Sequence, residues 1–149
     1  IRHHTNPVGK DLWIHHKVMV GSRAWSLSDM ESGPLAKFND PRIHFAIVKG
    51  SVGCPPLGKN AYLPGKLDNQ LNRSAQRFLA SEARLRLEDE NRVHMSPVIR
   101  TAFPEASGDL PQFYRQLSRW IFDKSIAGIL ISACPRPSWL RHDWSLNKK

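Results

Sequence analysis

The sequence predicts an α+β domain with a small mixed or antiparallel sheet and two main amphipathic helices. Apolar residues recur at steps of three and four in two stretches, over residues 67–79 and from residue 109 onward. Short apolar stretches bounded by turn residues, at 42–48 and 93–95, are typical of strands. Helices and strands are interspersed without the βαβ rhythm of a parallel sheet, which favours the α+β class.

The length and composition predict one domain. The chain has 149 residues and a mass of 17.0 kDa, with 40% hydrophobic and 23% charged residues, which is enough for a single core. No apolar stretch approaches the roughly 18 residues of a membrane-spanning helix. We assign residues 1–16 to a polar arm or linker and residues 17–147 to the domain.

The N-terminal part of the domain carries a strand and a helix start. Weak alternation over residues 13–19 favours a strand. A short helix follows because two serine and acidic residue pairs have capping-box spacing, Ser26 with Asp29 and Ser28 with Glu31. The Gly-Pro pair after it is expected to end this helix.

The centre of the chain couples an apolar stretch to a cysteine. Residues 42–48 predict a buried strand, because five of them are apolar and partly β-branched: Ile43, Phe45, Ala46, Ile47 and Val48. Gly50 and Gly53 then permit a sharp turn, and Pro55-Pro56 stiffens the chain behind it. This pattern presents Cys54 at the end of a strand.

The strongest helix signal covers residues 67–79. Its buried stripe consists of Leu67, Leu71, Ala75, Phe78 and Leu79. Arg73, Arg77 and Arg84 share another face of this predicted helix. That face is either a solvated surface or a stripe that binds phosphate or acidic groups.

The C-terminal third alternates short elements. A brief strand is expected at 93–95, and a helix starts near Asp109 with a proline tolerated in its first turn. The predicted buried stripe of that helix is Leu110, Phe113, Leu117, Trp120 and Ile121. The apolar stretch 126–134 fits either a buried strand or a short helix. Two prolines then interrupt regular structure before an extended tail over 139–146.

Several motifs, in this order, resemble the domain of unknown function 547 family. They are Val20-Gly21, Ser26-Leu-Ser-Asp-Met-Glu31, Asp40-Pro-Arg-Ile-His-Phe-Ala46, Gly53-Cys-Pro-Pro56, Ala61-Tyr62, Leu67-Asp-Asn-Gln-Leu71, Ala75-Gln-Arg-Phe-Leu79, Val93-His-Met-Ser-Pro97 and Asp143-Trp-Ser-Leu-Asn147. The resemblance runs from about residue 17 to residue 147. It implies a fold family and no particular activity.

The chain departs from that family in two ways. Ser32 stands where the family has a histidine, and the family's opening helix is absent. If both contribute to a site, this chain has lost part of it. Because the chain starts at Ile1, we expect a processed or partial product whose missing helix lies in a precursor or comes from another chain.

Cys54 is the candidate nucleophile. A reactive thiol needs a neighbouring base or cation, and His44 or His94 is the candidate base, with Asp40 as a group that orients a histidine. The alternative is purely structural. Cys54 is then a small residue packed in a tight turn, His44 a core histidine, and Asp40 the start of a turn.

Neither a metal nor a cofactor is expected. The pairs His3-His4 and His15-His16 each offer at most one ligand to a given site, since adjacent side chains on a strand point to opposite faces. The sequence lacks glycine-rich phosphate-binding loops and the GxSxG motif. Cys54 and Cys134 are either one disulfide or, as we expect, two independent thiols.

The charge predicts the kind of partner. Lys and Arg number 22 against 13 Asp and Glu, so the net charge is +9, which favours acidic protein surfaces or nucleic acid as partners. We expect a non-catalytic structural or interaction domain, a basic accessory subunit that binds other subunits of a larger complex in an organelle matrix or another intracellular compartment. The alternative is a thiol-dependent hydrolase or transferase that uses Cys54.

Overall fold

A computed structural model describes residues 13–147 of the chain. The strands are β1 (Lys17–Val20), β2 (Arg23–Ser26), β3 (Leu85–Leu87), β4 (Arg92–Met95) and β5 (Arg136–Trp139). The α-helices are α1 (Leu27–Met30), α2 (Leu67–Leu79), α3 (Pro97–Ala102), α4 (Leu110–Leu117) and α5 (Lys124–Ala133). A π-helical turn covers Glu31–Leu35, and 3₁₀ turns cover Ala36–Phe38, Pro41–Phe45, Pro64–Lys66, Pro104–Ser107 and Ser118–Trp120. The predicted α+β class is confirmed, and none of the helices in this part of the chain could cross a bilayer.

The strands form two small sheets. β1 and β2 make an antiparallel hairpin with Lys17 opposite Ser26. The second sheet has the order β3-β4-β5, with β3 antiparallel and β5 parallel to β4. Pro137 lies inside β5, where we expected a break. Because β5 is an edge strand with one neighbour, a residue without an N–H is tolerated there.

The predicted strand at residues 42–48 is wrong. Pro41–Phe45 forms a 3₁₀ helix, and the Asp40 carboxylate accepts a hydrogen bond from the Arg42 N–H at its start. An Asp cap followed by proline at the first helical position favours a helical turn, and the apolar composition alone did not reveal this. Phe45 is the residue of this turn that reaches the core.

The predicted helix starts are confirmed at two caps. Ser26 and Asp29 form the expected capping box of α1, and Asp109 caps α4 by accepting from the Gln112 N–H. α4 ends earlier than predicted, at Leu117, and the prediction that the Gly-Pro pair ends the first helix is wrong, because the helical conformation continues through that pair. α1 passes at Met30 into the π-helical turn that contains the Gly-Pro pair.

The structure also decides the alternatives left open for residues 126–134 and the bounds predicted for two other elements. Residues 126–134 lie mainly in helix α5, which agrees with the short-helix interpretation. Trp120 belongs to the 3₁₀ turn after α4, while Phe113 and Leu117 are fully buried on α4 as expected. Residues 13–15 are helical, and the strand predicted over 13–19 is confined to β1.

The core lies between α2, α4 and the second sheet. Its fully buried members come from the Pro41–Phe45 turn, α2, β4, α3, α4, α5 and the residue after α3: Phe45, Ala75, Phe78, Val93, Met95, Ile99, Phe103, Phe113, Tyr114, Leu117 and Leu130. The rings of Phe45 and Phe78 are 5.2 Å apart, which joins the 3₁₀ turn before the cysteine loop to α2. This packing fixes the two ends of the loop that carries Cys54.

Candidate thiol site

The site forms where the C-terminal segment folds back over the cysteine loop. Ser51 and Leu146 form an antiparallel bridge. The Val52 N–H donates to the Ser145 carbonyl at 2.9 Å, and the Gly53 N–H donates to the Asp143 carbonyl at 2.8 Å. These main-chain bonds place the residue before Asp143 directly against the loop.

Three polar side chains meet at this crossing. The Ser51 Oγ lies 3.0 Å from the Cys54 Sγ and 2.9 Å from the His142 Nε2. The direct distance from the sulfur to the His142 Nε2 is 3.9 Å. When the thiol donates to the hydroxyl and the hydroxyl donates to a neutral imidazole, the three groups form one continuous hydrogen-bonded chain.

Gly53 is required for this approach. A Cβ at position 53 would lie 2.8 Å from the Asp143 carbonyl oxygen and 2.8 Å from both Cε1 and Nε2 of His142. These separations are shorter than van der Waals contact. The glycine therefore serves the close passage of the imidazole over the loop.

Two arginines bind the main chain of the cysteine loop. The Arg84 guanidinium donates to the carbonyls of Val52, Gly53 and Cys54, at 2.8 Å to Gly53 and 3.3 Å to Cys54. Arg77 donates to the Pro56 carbonyl at 2.9 Å. Charged donors make stronger bonds than neutral ones, so the main chain around the thiol is firmly held.

These contacts change the interpretation of the arginine stripe. α2 ends at Leu79, and Arg84 lies in the turn before β3, so Arg84 does not share a helix face with Arg73. Arg77 and Arg84 bind carbonyls of the protein itself, while Arg73 is exposed. The binding surface predicted from these three residues stays a prediction only for Arg73.

The surroundings keep His142 neutral. Burial lowers its pKa below the usual 6.5, and the positive charges of Arg84 and Lys49 lower it further, while Asp143 opposes them. The ring also packs against Trp144, with centroids 4.2 Å apart. A neutral imidazole that accepts at Nε2 can take up a proton.

The thiol itself is nearly enclosed. Cys54 is 6% exposed and Ser51 5%, whereas His142 is only half-buried. A cavity of about 270 Å³ is lined by Gly53 and His142 together with Arg84 and Arg141. His142 is among the residues that line this cavity, whereas Cys54 and Ser51 are not.

The predicted partner histidines lie elsewhere. His44 lines a different cleft with Glu31 and Glu105, and burial lowers its pKa. His94 lies on β4 and its Nε2 is 2.9 Å from a Glu88 carboxylate oxygen. Neither histidine is among the hydrogen-bond partners of Cys54 that the structure gives.

Asp40 has a structural role. Its carboxylate binds the Arg42 guanidinium through both oxygens, at 2.7 Å for the shortest contact, and its pKa is lowered mainly by that hydrogen bond. Arg42 also reaches Asp68 and Asn72 on α2. Asp40 thus starts a turn and, through Arg42, anchors it to the helix, as the structural alternative expected; within residues 13–147 no histidine is among its hydrogen-bond partners.

His142 is the residue that sequence reasoning missed. It lies 88 positions after Cys54, and nothing in the local pattern links the two. The available signal was its place directly before Asp143-Trp-Ser-Leu-Asn147, the motif quoted above for the family resemblance. A motif that closes a domain beside a glycine-cysteine loop is a candidate for supplying the base.

The cluster is suited to thiol chemistry. Both cysteines are free thiols, and residues 13–147 contain no group of three His, Cys, Asp or Glu side chains placed to hold a metal ion; residues 3 and 4 lie outside that range. A thiol, a hydroxyl and an imidazole in sequence can together carry one proton away from sulfur.

The family resemblance is confirmed by comparison with known proteins. Residues 9–79 match the family described as "Protein of unknown function, DUF547". The matched span contains Ser51, Gly53 and Cys54, and it ends at the last residue of α2. The motifs from Val93 onward, including the segment after His142, lie beyond it. No curated protein and no solved structure matches the chain.

Proposed function

We propose that this protein is a thiol-dependent acyl hydrolase or acyltransferase in which Cys54 is the nucleophile and His142 the base. The observation that supports this proposal is the Ser51 hydroxyl, which lies within 3.0 Å of both the thiol and the imidazole. A cysteine buried only for packing would need neither this hydrogen-bonded chain nor a glycine at the position where a Cβ would collide with the imidazole.

The reaction starts with a proton transfer. The Cys54 proton moves to the Ser51 oxygen as the Ser51 proton moves to the His142 Nε2, so the hydroxyl is unchanged overall. The sulfur forms a bond to the substrate carbonyl carbon, and the leaving group departs with the proton held on His142. His142 gives this proton to the leaving group. Water or an acceptor nucleophile then attacks the thioester carbonyl carbon and gives a proton to His142, the carbon–sulfur bond breaks, and the proton returns through Ser51 to the Cys54 thiolate.

The sulfur is favoured over the Ser51 oxygen as the nucleophile. Thiols ionise far more readily than aliphatic hydroxyls and are intrinsically more nucleophilic. Ser51 is also shared between two partners, which suits a relay. We therefore assign Ser51 a positioning and proton-transfer role.

The experiment uses a small activated ester. We expect p-nitrophenyl acetate to add one acetyl group to Cys54, detected by peptide mass spectrometry, with release of one equivalent of p-nitrophenol. Cys54→Ala should abolish acetylation, His142→Gln should slow it at least tenfold, and Ser51→Ala should slow it less. Acetylation of Ser51, or equal rates in wild-type protein and His142→Gln, would contradict the proposal.

A second candidate function is the non-catalytic accessory role. It is supported by exposed apolar side chains on and near the β1-β2 hairpin, among them Met19 at 67% and Phe38 at 72% exposure. Such residues, on a chain of net charge +9, suit a surface that other subunits cover.

Native purification tests this second role. We expect the protein to elute in a larger particle, and Met19→Lys together with Phe38→Lys to release it as a monomer with unchanged thermal stability. Both side chains are mostly exposed, so these substitutions should be tolerated by the fold. A wild-type protein that elutes alone as a monomer argues against the accessory role.

A further inference from the structure

We infer that the cavity beside His142 recognises an anionic group, a carboxylate or phosphate, on an acyl substrate. This inference rests on the proposed function, because it names the substrate class for the same thiol. The cavity has a volume of about 270 Å³, which is enough for a short side chain or a small acid. His142 is one of the residues that line it.

Two guanidinium groups belong to the wall of this cavity. Arg84 lines it from the turn before β3, and Arg141 lines it from the residue next to His142. Guanidinium groups bind carboxylates and phosphates with two parallel hydrogen bonds, which Arg141 can supply. Arg84, whose Nη groups already donate to three carbonyls, contributes its positive charge. An anion held here lies next to the base.

Arg84 forms no salt bridge within the described part of the chain, although its charge acts on the nearby Asp143 carboxylate. No carboxylate of residues 13–147 lies within salt-bridge distance of it, and its partners are three neutral carbonyls and the ring of Phe78. A partly buried cation is normally paired with an anion. An anionic ligand would supply that pairing.

One acidic residue also lines the cavity. The Asp143 carboxylate accepts from the Ser145 N–H at 2.9 Å and from its hydroxyl at 2.6 Å. These bonds lower the pKa of Asp143, so it stays charged. With a neutral His142, two arginines outweigh one aspartate and the cavity keeps a net positive charge.

The rest of the wall is largely apolar. Val52, Pro97 and Leu140 contribute to it. A cationic rim over an apolar wall suits a ligand with a short hydrocarbon stem and an anionic end. The substrate class is therefore an acyl compound that carries a second, negatively charged group near the reacting carbonyl.

The test compares two alkylating reagents that differ in charge. Iodoacetate and iodoacetamide both transfer a two-carbon unit to sulfur and release iodide, but only iodoacetate is an anion. We expect the rate constant for iodoacetate divided by that for iodoacetamide to be roughly fivefold higher at Cys54 than at Cys134 of the same chain. A factor of this size corresponds to the free energy of one exposed ion pair. Peptide mass spectrometry follows both thiols at once.

Variants separate the cavity from the overall charge. Arg141→Gln should lower the ratio at Cys54 roughly two- to fivefold, and added salt should lower it further. Arg136→Gln is the matched control, because Arg136 is an exposed arginine on β5 outside the cavity. Arg136→Gln should leave the iodoacetate-to-iodoacetamide ratio at Cys54 unchanged. Melting temperatures show whether both variants are folded.

The reactivity of Cys54 distinguishes a failure of the anionic substrate class from a failure of the proposed function. If Cys54 reacts with iodoacetamide but shows the same ratio as Cys134, the anionic substrate class is wrong and the proposed nucleophile remains. If Cys54 of the folded protein reacts with neither reagent, both the substrate class and the proposed function are wrong. A ratio that responds equally to Arg141→Gln and Arg136→Gln also overturns the inference.

Discussion

Gly53→Ala tests whether the close passage of His142 over residue 53 sets the geometry of the site. The new Cβ would lie 2.8 Å from the Asp143 carbonyl oxygen and from two ring atoms of His142. Reaching ordinary contact near 3.5 Å requires a displacement of roughly 0.7 Å. The obstacle includes main chain, so a side-chain rotation cannot relieve it.

Two effects contribute to the loss in the free energy of unfolding that we expect for Gly53→Ala. The displacement stretches the bond from the Gly53 N–H to the Asp143 carbonyl, now 2.8 Å, beyond hydrogen-bond distance, which costs about 0.5–1.5 kcal/mol. Overpacking adds about 1–3 kcal/mol. We expect a total loss of about 2–4 kcal/mol in the free energy of unfolding, and a fall in Tm of roughly 5–15 °C.

The assay is urea denaturation followed by circular dichroism, with the alkylation rate of Cys54 measured beside it. Gly128→Ala is the control, because Gly128 lies in α5 and a Cβ there meets no atom within 4 Å. That substitution should stabilise the protein by about 0.5–1 kcal/mol. If Gly53→Ala leaves both stability and the Cys54 rate unchanged, the geometric reasoning is wrong.

Three further predictions concern the surroundings of the site and the core. Arg84→Met should destabilise the protein by about 2–4 kcal/mol, because three carbonyls lose a charged donor; urea denaturation measures this. Tyr114→Phe should cost about 1–3 kcal/mol, since the buried hydroxyl donates to the Pro135 carbonyl at 2.5 Å; thermal unfolding measures it. Stability should decrease as the pH falls below 6.5, because burial lowers the pKa of His142 and of His44 below that value in the folded state. The unfolded chain then binds more protons than the folded one, so stability present above pH 6.5 is lost on acidification.

Each of these has a matched comparison. Arg73→Met replaces an exposed arginine on α2 and should change stability by less than about 0.5 kcal/mol. A Tyr62→Phe variant removes a hydroxyl that is 2.9 Å from Ser74 on a half-exposed side chain, and it should cost less than Tyr114→Phe. Replacing His142 and His44, whose pKa values are lowered by burial, with glutamine should weaken the dependence of the unfolding free energy on pH between about 6.5 and 5. An unchanged slope contradicts the assignment.

Local signals predicted the parts of the fold that local chemistry determines. The periodicity over residues 67–79 predicted α2, although Leu67 of the predicted buried stripe is exposed. The spacing of Ser26 and Asp29 predicted a capping box, and both of its hydrogen bonds are present. Caps and amphipathic stripes depend on neighbours within one or two turns. They can therefore be read without knowledge of the fold.

The sequence was misleading where an apolar composition lacked periodicity, and it did not reveal contacts between distant segments. The apolar residues at 42–48 fit a buried strand equally well, and only the Asp40-Pro41 start favoured the helical turn that forms. The sequence around Cys54 stood out because of its unusual neighbours, but nothing pointed to His142. His142 reaches Cys54 through a main-chain pairing of segments about 90 residues apart, and no short-range pattern encodes that pairing.

The central claim is that His142 activates the thiol of Cys54, and one rate comparison tests it. In a Cys134→Ala background, the rate constant for alkylation of Cys54 by iodoacetamide at pH 7 is measured in the protein with His142 and in His142→Gln. Because the thiolate is the reacting species, we predict a rate at least tenfold lower in His142→Gln, with both proteins folded by circular dichroism. Equal rates in the two proteins would contradict the account.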